Sequence, residues 1–251
     1  MNYLVLSSTL KPLQTDWLIS YGGLLVQGFE MTMCLYATAL FIGFCFGLVL
    51  AICRQYGGPV LSRVATAYIE VIRGTPLLIQ IYLFYLLPYF VNATVTPTGP
   101  PLIDVRWSLS LFNITLLNHQ TFTAMGTLGL NSAAYQAEYL RGAMSSIGGN
   151  QLMAARSVGM SKIMAIRYVI IPQALRRAIP SWSNEAAYLP KYTVVAALIS
   201  VNDLFQNASW IVSKTYIVLP VWLTVAGMFL GVIGVISWVL DRVYIKTRIP
   251  M

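Results

Sequence analysis

The amino-acid sequence predicts an all-α integral membrane protein crossed by five helices, and three observations carry that reading. Hydrophobic residues fill 57% of the 251 positions and charged residues only 10%, with a mean hydropathy of +0.70, outside the range of soluble domains. Two runs, Met31 to Cys53 (23 residues) and Leu219 to Leu240 (22 residues), contain no charge. Each exceeds the roughly 20 residues that a helix needs to cross the hydrocarbon core. Finally, 12 of the 16 Lys and Arg residues fall into three groups that five spans bring to one side.

In chain order, residues 1–21 lack the basic start and continuous apolar core of a cleaved signal. They are expected to form an interfacial N-terminus, with Trp17 and Tyr21 at headgroup level. The first span follows. Cys34, Cys45 and Cys53 all lie within it, with no Cys-x-x-Cys pair and the one histidine, His119, far away. They are expected to be buried packing residues, which excludes a disulfide framework and a zinc site. Gly43-x-x-x-Gly47 in this span and Gly227-x-x-x-Gly231 in the last permit close helix contact.

A second span is expected over Ala67 to Phe90, opened by Arg73-Gly74-Thr75-Pro76 as a headgroup anchor and a helix-initiating proline. Residues 91–121, with TVTPTGPP, form a loop holding a re-entrant or short helical piece. The third and fourth spans, Phe122 to Arg141 and Ser181 to Ser200, are too polar to face lipid and are expected to line a cavity or a partner. The fifth is Leu219 to Leu240. A transmembrane unit over 22–245 therefore carries a large loop at 142–178 and ends in a short tail, 246–251.

Arg54, Arg63 and Arg73 border the first loop; Arg141, Arg156, Lys162, Arg167, Arg176 and Arg177 the third; Arg242, Lys246 and Arg248 follow the last span. The positive-inside bias makes this side cytoplasmic, the N-terminus external and the C-terminus internal. The net charge of +8 thus faces lipid headgroups, and nucleic acid is not an expected partner.

The loop at 142–178 is too long for a plain helix connection, commonly 2–8 residues. Leu152, Ala155 and Val158 share a helical stripe, and Ala154-Ala155 allows close backbone approach. Gly159 breaks the helix, Ser161 offers an N-cap, and a second helix carries Ile163, Ala165, Ile166 and Tyr168 to Pro172. From periodicity alone, an amphipathic connector on the membrane surface and a docking projection are equally good descriptions.

Inside the bilayer, Asn131, Tyr135 and Glu138 share one face of the third span, and Asn184, Tyr188 and Lys191 one face of the fourth. These stripes mark a candidate solute path. A cation near a helix centre costs about 2.5–3.5 kcal/mol on insertion scales, so Lys191 must face protein, water or solute. The competing assignments are an ion pair of Glu138 with Arg141, and an interhelical pair of Lys191 with Glu30 or Glu185. Pro190 is expected to interrupt the fourth helix beside Lys191, as at many solute sites. No Gly-x-x-x-x-Gly-Lys-Ser/Thr loop occurs, so any ATP and Mg must be bound by another chain. A single histidine outside the spans leaves no nucleophilic cluster, which argues against an enzyme.

The run NQLMAARSVGMSKIMAIRYVIIPQALRRAIP resembles the EAA loop of ABC transporter permease subunits, with Ala154, Ala155, Gly159 and Ile171-Pro172 on its pattern. YIEVIRGTPLLIQ (68–80) and LNSAAYQAEYLRGAMSSI (130–147) are similar to segments of the polar amino-acid uptake branch, and the resemblance covers about Gly23 to Arg242. It implies a type I importer permease fold working as a dimer with a second permease subunit. It also implies a separate ABC ATPase, a periplasmic or tethered amino-acid-binding protein, a bacterial inner membrane and polar or basic amino acids as cargo. The coupling residues would be Gln151, Met153, Ala154, Ala155, Arg156, Gly159, Met160, Ser161 and Lys162.

Two positions depart from the family pattern. Met153 stands where the loop's acid is usual, replacing a charge-assisted contact with a flexible apolar one. In the fourth span Pro190-Lys191-Tyr192-Thr193 keeps the lysine of a Lys-Asp-Thr-Ser-like run and loses its acid. A heterodimer tolerates both losses better than a homodimer. The competing function is an ATP-independent channel or facilitator, which needs no cytoplasmic partner; a subunit that only anchors others is disfavoured by the polar stripes.

Overall fold

The computed structural model describes residues 16–95, 108–111, 114–147 and 149–247. Helix α1, Asp16–Tyr56, runs 41 residues, about 60 Å at 1.5 Å per residue, so the charge-free run is only its middle. A tight turn at Gly57, whose N–H bonds the Cys53 carbonyl at 3.0 Å, leads into α2, Pro59–Gly74, begun by its proline. Helix α3, Leu77–Val95, follows. The expected second span is therefore two helices. Pro76 forces Thr75 into an extended conformation (φ −111°, ψ 140°), since the residue before proline is excluded from the helical region.

Two short antiparallel strands follow, β1, Ser108–Leu111, and β2, Ile114–Asn118, with a register shift after Leu109. This hairpin stands where a re-entrant or helical piece was expected; Ile114 and Thr115, both β-branched, favour the extended conformation at the start of β2.

Helix α4, His119–Ile147, is capped by Asn118, whose Oδ1 accepts the Thr121 N–H at 2.8 Å. Its Ser132, Ala133, Ala134, Gln136 and Ala137 are fully buried. A Cβ added at Gly43 of α1 would lie 2.5 Å from Gln136 Nε2, and one at Gly47 2.9 Å from the Ala133 carbonyl; the first Gly-x-x-x-Gly pair is the groove in which α4 lies. The second pair meets nothing within 4 Å at either Gly227 or Gly231. By length and composition α1, α3 and the last described helix contain the described segments apolar enough to cross a membrane, Trp17–Tyr56, Leu77–Val95 and Val218–Lys246. Helix α4 is not apolar enough to face lipid, and its burial among α1, α2, α3 and the helix that begins at Ile171 explains why it need not.

The loop after α4 contains α5, Gly149–Ser157, and α6, Lys162–Ala165, then a π-helical turn, Ile166–Ile170, which runs on into α7, Ile171–Tyr192. Helix α7 buries Ala174, Ala178, Glu185, Ala186 and Leu189 and leaves Asn184, Tyr188 and Lys191 open. It tightens at Thr193–Ile199 into a 3-10 segment, ended by Ser200 at φ 62°. The expected fourth span is thus the second half of α7 plus this tighter coil. Helix α8, Leu204–Thr215, which hydrophobic runs do not reveal, precedes α9, Val218–Thr247.

Three expectations are corrected by packing. Trp17 is 7% exposed in a cluster with Leu25, Leu204 and Val221, an internal residue instead of an interfacial anchor. Cys45 is exposed, while Cys34 and Cys53 are half-buried. Val158 is 79% exposed because α5 ends one residue before it, which leaves Leu152 and Ala155 as the inward stripe.

Candidate functional site

A cavity of about 350 Å³ opens where α2 breaks from α3, lined by Arg73, Gly74, Thr75, Pro76, Leu77, Asn131, Tyr135 and Tyr192. The break frees carbonyls at the end of α2, and the buried Gln80 takes them. Its Nε2 donates to the Ile72 carbonyl at 2.7 Å and to the carbonyl and hydroxyl of Thr75 at 3.0 and 2.7 Å. Its Oε1 accepts from Asn131 Nδ2 at 3.0 Å. One glutamine thereby fixes the wall to α4, since buried polar groups must find partners. The Arg73 guanidinium lies 5.2 Å from the centre of the Tyr135 ring, a cation–π contact that holds the charge at the cavity rim.

Of the six path candidates, Asn131 and Tyr135 line this cavity. Asn184, Tyr188 and Lys191 stand on the open face of α7, which also presents Tyr192, a lining residue that the sequence reading missed. The Lys191 ammonium sits 4.5 Å from the centre of the Tyr188 ring; among the described residues it forms no ion pair with Glu30 or Glu185. Glu185 is 3% exposed and accepts from Ser132 Oγ at 2.7 Å. That serine also accepts from Gln136 Nε2, while Gln136 Oε1 receives Trp182 Nε1 at 2.7 Å.

Glu138 is placed elsewhere. Oε1 accepts from Arg141 and Oε2 from Arg54, each at 2.5 Å, and Arg54 also reaches Glu70 at 3.3 Å. Both carboxylate oxygens face guanidinium groups, the ion-pair alternative that sequence spacing left open. Arg73 was read as an anchor; the signal for its second role was its position one residue before the break, where a helix end and a charge coincide.

The second candidate surface is the glycine-hinged pair of helices. Gly159 adopts φ +89°, its N–H bonds the Arg156 carbonyl at 3.0 Å and the Met160 N–H bonds the Ala155 carbonyl at 3.2 Å, a Schellman termination of α5. Ser161 then caps α6 by accepting the Met164 N–H. Ala155 is buried and Met160 half-buried, while Gln151, Met153, Ala154, Arg156, Ser161 and Lys162 are exposed. Met153 at 61%, Val158 at 79%, Ile163 at 78% and Met164 at 47% exposure leave apolar side chains on both sides of the hinge without cover.

Residues 43–244 match the family of binding-protein-dependent transport system inner membrane components. The chain is 32% identical over 241 residues to the glutamine transport system permease protein GlnP of Escherichia coli K12, covering 94% of this chain and all of that one. It is 31% identical over 235 residues to the octopine transport system permease protein OccM of Rhizobium meliloti, covering 90% of each. A solved amino acid ABC transporter with histidines superposes with a TM-score of 0.74 at 29% identity, covering 94% of this chain and 99% of that one.

Proposed function

This chain belongs to the family of binding-protein-dependent transport system inner membrane components and is a transporter subunit, not an enzyme; from that premise we propose that it is the permease half of an ATP-driven importer of polar amino acids. The observation that carries the proposal is the exposed Met153, Val158, Ile163 and Met164 surface around Gly159. Exposed apolar side chains on a capped turn are the anatomy of a protein-docking site, and Met adapts to a partner groove. The partner is a separate ABC ATPase that binds ATP and Mg. The basic end of the bundle, with this surface, faces the cytoplasm, so that the N-terminus is external and the C-terminus internal.

A second permease subunit covers the open face of α7, and an external binding protein delivers the solute. The path runs by Arg73, Thr75, Asn131, Tyr135, Asn184, Tyr188, Lys191 and Tyr192; Glu138, engaged by two arginines, braces it from outside. Nucleotide-driven closure of the ATPases moves the hinged helices, and the bundle alternates between its two open states. Purification of the full chain with its co-expressed partner subunits tests this. An ATPase is expected to co-purify, with turnover stimulated by amino-acid-loaded binding protein; ATP-independent flux through the isolated chain would establish a passive facilitator instead.

A further inference from the structure

Glu185 of α7 is an acid inside the bundle with no cation beside it. It is 3% exposed, and among the described residues it forms no ion pair. Of the elements packed on α7, α1 carries no charge from Met31 to Cys53, α9 none from Leu219 to Leu240, and the 3-10 segment none. The π-helical turn brings Arg167, which is exposed and rests on the Tyr168 ring. On α4, Arg141 is engaged by Glu138. The titratable groups within electrostatic reach of Glu185 are the phenols of Tyr139 on α4 and Tyr192 on α7 itself, and neither supplies positive charge.

Hydrogen bonding offers the carboxyl little more. Trp182 Nε1 donates to Gln136 Oε1 at 2.7 Å, Gln136 Nε2 donates to Ser132 Oγ at 3.0 Å and to the Leu40 carbonyl at 3.3 Å, and Ser132 Oγ donates to Glu185 Oε1 at 2.7 Å. Every hydrogen of these three donors is used, and one bond reaches the acid. Helix α1 closes over the chain at Gly43, where a Cβ would stand 2.5 Å from Gln136 Nε2 and 2.9 Å from Ser132 Oγ. A buried carboxylate needs a cation or several donors to offset its desolvation, and a single hydroxyl supplies neither. A carboxylic acid needs no counter-charge.

From this packing we infer that Glu185 works as a neutral, protonated acid that holds α7 against α4 and so positions Tyr192 at the cavity. Glu185 and Tyr192 are seven residues apart, two turns along one face of α7. Its acceptor contact, Ser132, is next in sequence to the cavity-lining Asn131. Loss of the proton leaves an unpaired charge in the seam between α4 and α7 and loosens it. The protonation rests on packing alone, whereas its effect on uptake rests on the reading of the chain as an importer permease.

Two measurements on the full chain assembled with its partner subunits in proteoliposomes test this. The first is the infrared difference spectrum between the parent and Glu185→Gln at neutral pH. The parent is expected to show the carbonyl band of a protonated carboxylic acid that the variant lacks; no such band would overturn the inference whatever the transport result. The second is amino-acid uptake against pH. Glu185→Gln, which keeps the acceptor for Ser132 and carries no charge, is expected to stay within about twofold of the parent at neutral pH, while Glu185→Ala falls at least about tenfold by leaving that hydroxyl unpaired. Parent uptake is expected to decline relative to the Gln variant as alkaline pH removes the proton. Gln failing as far as Ala, or a ratio of parent to Gln uptake that does not change with pH, would overturn the positioning role. No uptake by the parent assembly would overturn the importer reading, and the infrared band would still decide the protonation.

Discussion

Lys162 donates from Nζ to the Tyr56 backbone carbonyl at 2.7 Å, so the first residue of α6 closes the C-terminal end of α1. Terminal carbonyls of a helix lack intrahelical donors and carry partial negative charge, which a lysine complements. Arg177 of α7 does the same for α4, reaching the Ser146 carbonyl at 2.6 Å. The hinged pair is therefore tied by the Lys162 side chain to α1, and α7, into which it runs, is tied by Arg177 to α4.

Replacing Lys162 by alanine is expected to cost little stability, less than about 1 kcal/mol for an exposed cation at a helix end. It is expected to reduce transport several-fold while ATP hydrolysis continues. Parallel measurement of uptake and phosphate release in proteoliposomes checks this. An unchanged ratio of the two would show that the tie to α1 transmits nothing.

Gly159 sits at φ +89°, where an L side chain costs about 1–2 kcal/mol. Space is not the obstacle, since a Cβ there meets nothing within 4 Å. Gly159→Val is expected to distort the turn and reduce retention of the ATPase on affinity purification at least several-fold. Gly159→Asn, which tolerates the left-handed region better, is expected to retain more. Equal retention by the two variants would place the docking determinant elsewhere.

The hinge was legible in the sequence because its signals are local: a glycine after a helical stripe and a serine before the next. The first and last apolar spans were legible for the same reason, and each is the middle of a longer helix. The second span was misjudged where Thr75-Pro76 divides a continuous apolar run, and α8 was missed because its burial depends on contact with α1, which lies about 175 residues away. Stripes on single helices named Asn131 and Tyr135, which line the cavity, and Tyr188 and Lys191, which stand outside its lining on the open face of α7. They missed Arg73 and Tyr192, which join the cavity only through the packing of α2, α4 and α7. Spacing also left the partner of Glu138 undecided, because Arg54 approaches it from another helix.

The contact between α1 and α4 depends on absent side chains. A Cβ at Gly47 would stand 2.9 Å from the Ala133 carbonyl and 3.1 Å from the Ala137 nitrogen, and backbone cannot yield as a flexible side chain does. Gly47→Val is expected to lower stability by about 1–3 kcal/mol, the usual cost of overpacking. Gly231→Val, at a position with open space, is the matched control and is expected to leave thermal unfolding of the detergent-solubilised chain unaltered. Equal unfolding temperatures for the two variants would mean that the helices are not held in this register.

The linker before α8 carries a pH-dependent contribution of its own. Asp203 is fully buried; Oδ1 caps α8 by accepting the Gln206 N–H at 2.8 Å, and Oδ2 has no hydrogen-bond partner among the described residues. Burial pushes its carboxyl from an ordinary 3.8 up to about 7, against the smaller opposing pull of backbone N–H groups. Between those values the folded chain keeps a proton that the unfolded chain has released, so stability is greatest below the lower one. It falls as pH rises through the window, since stability declines wherever the unfolded state binds fewer protons. The loss by pH 8 is expected to reach a few kcal/mol at most, at about 1.4 kcal/mol per pH unit. Asp203→Asn keeps a good N-cap and has no proton to lose, so its thermal stability in detergent is expected to stay level from pH 5 to 8 where that of the parent declines. Parallel profiles for the two proteins would show that the carboxylate is already ionised and compensated within the fold.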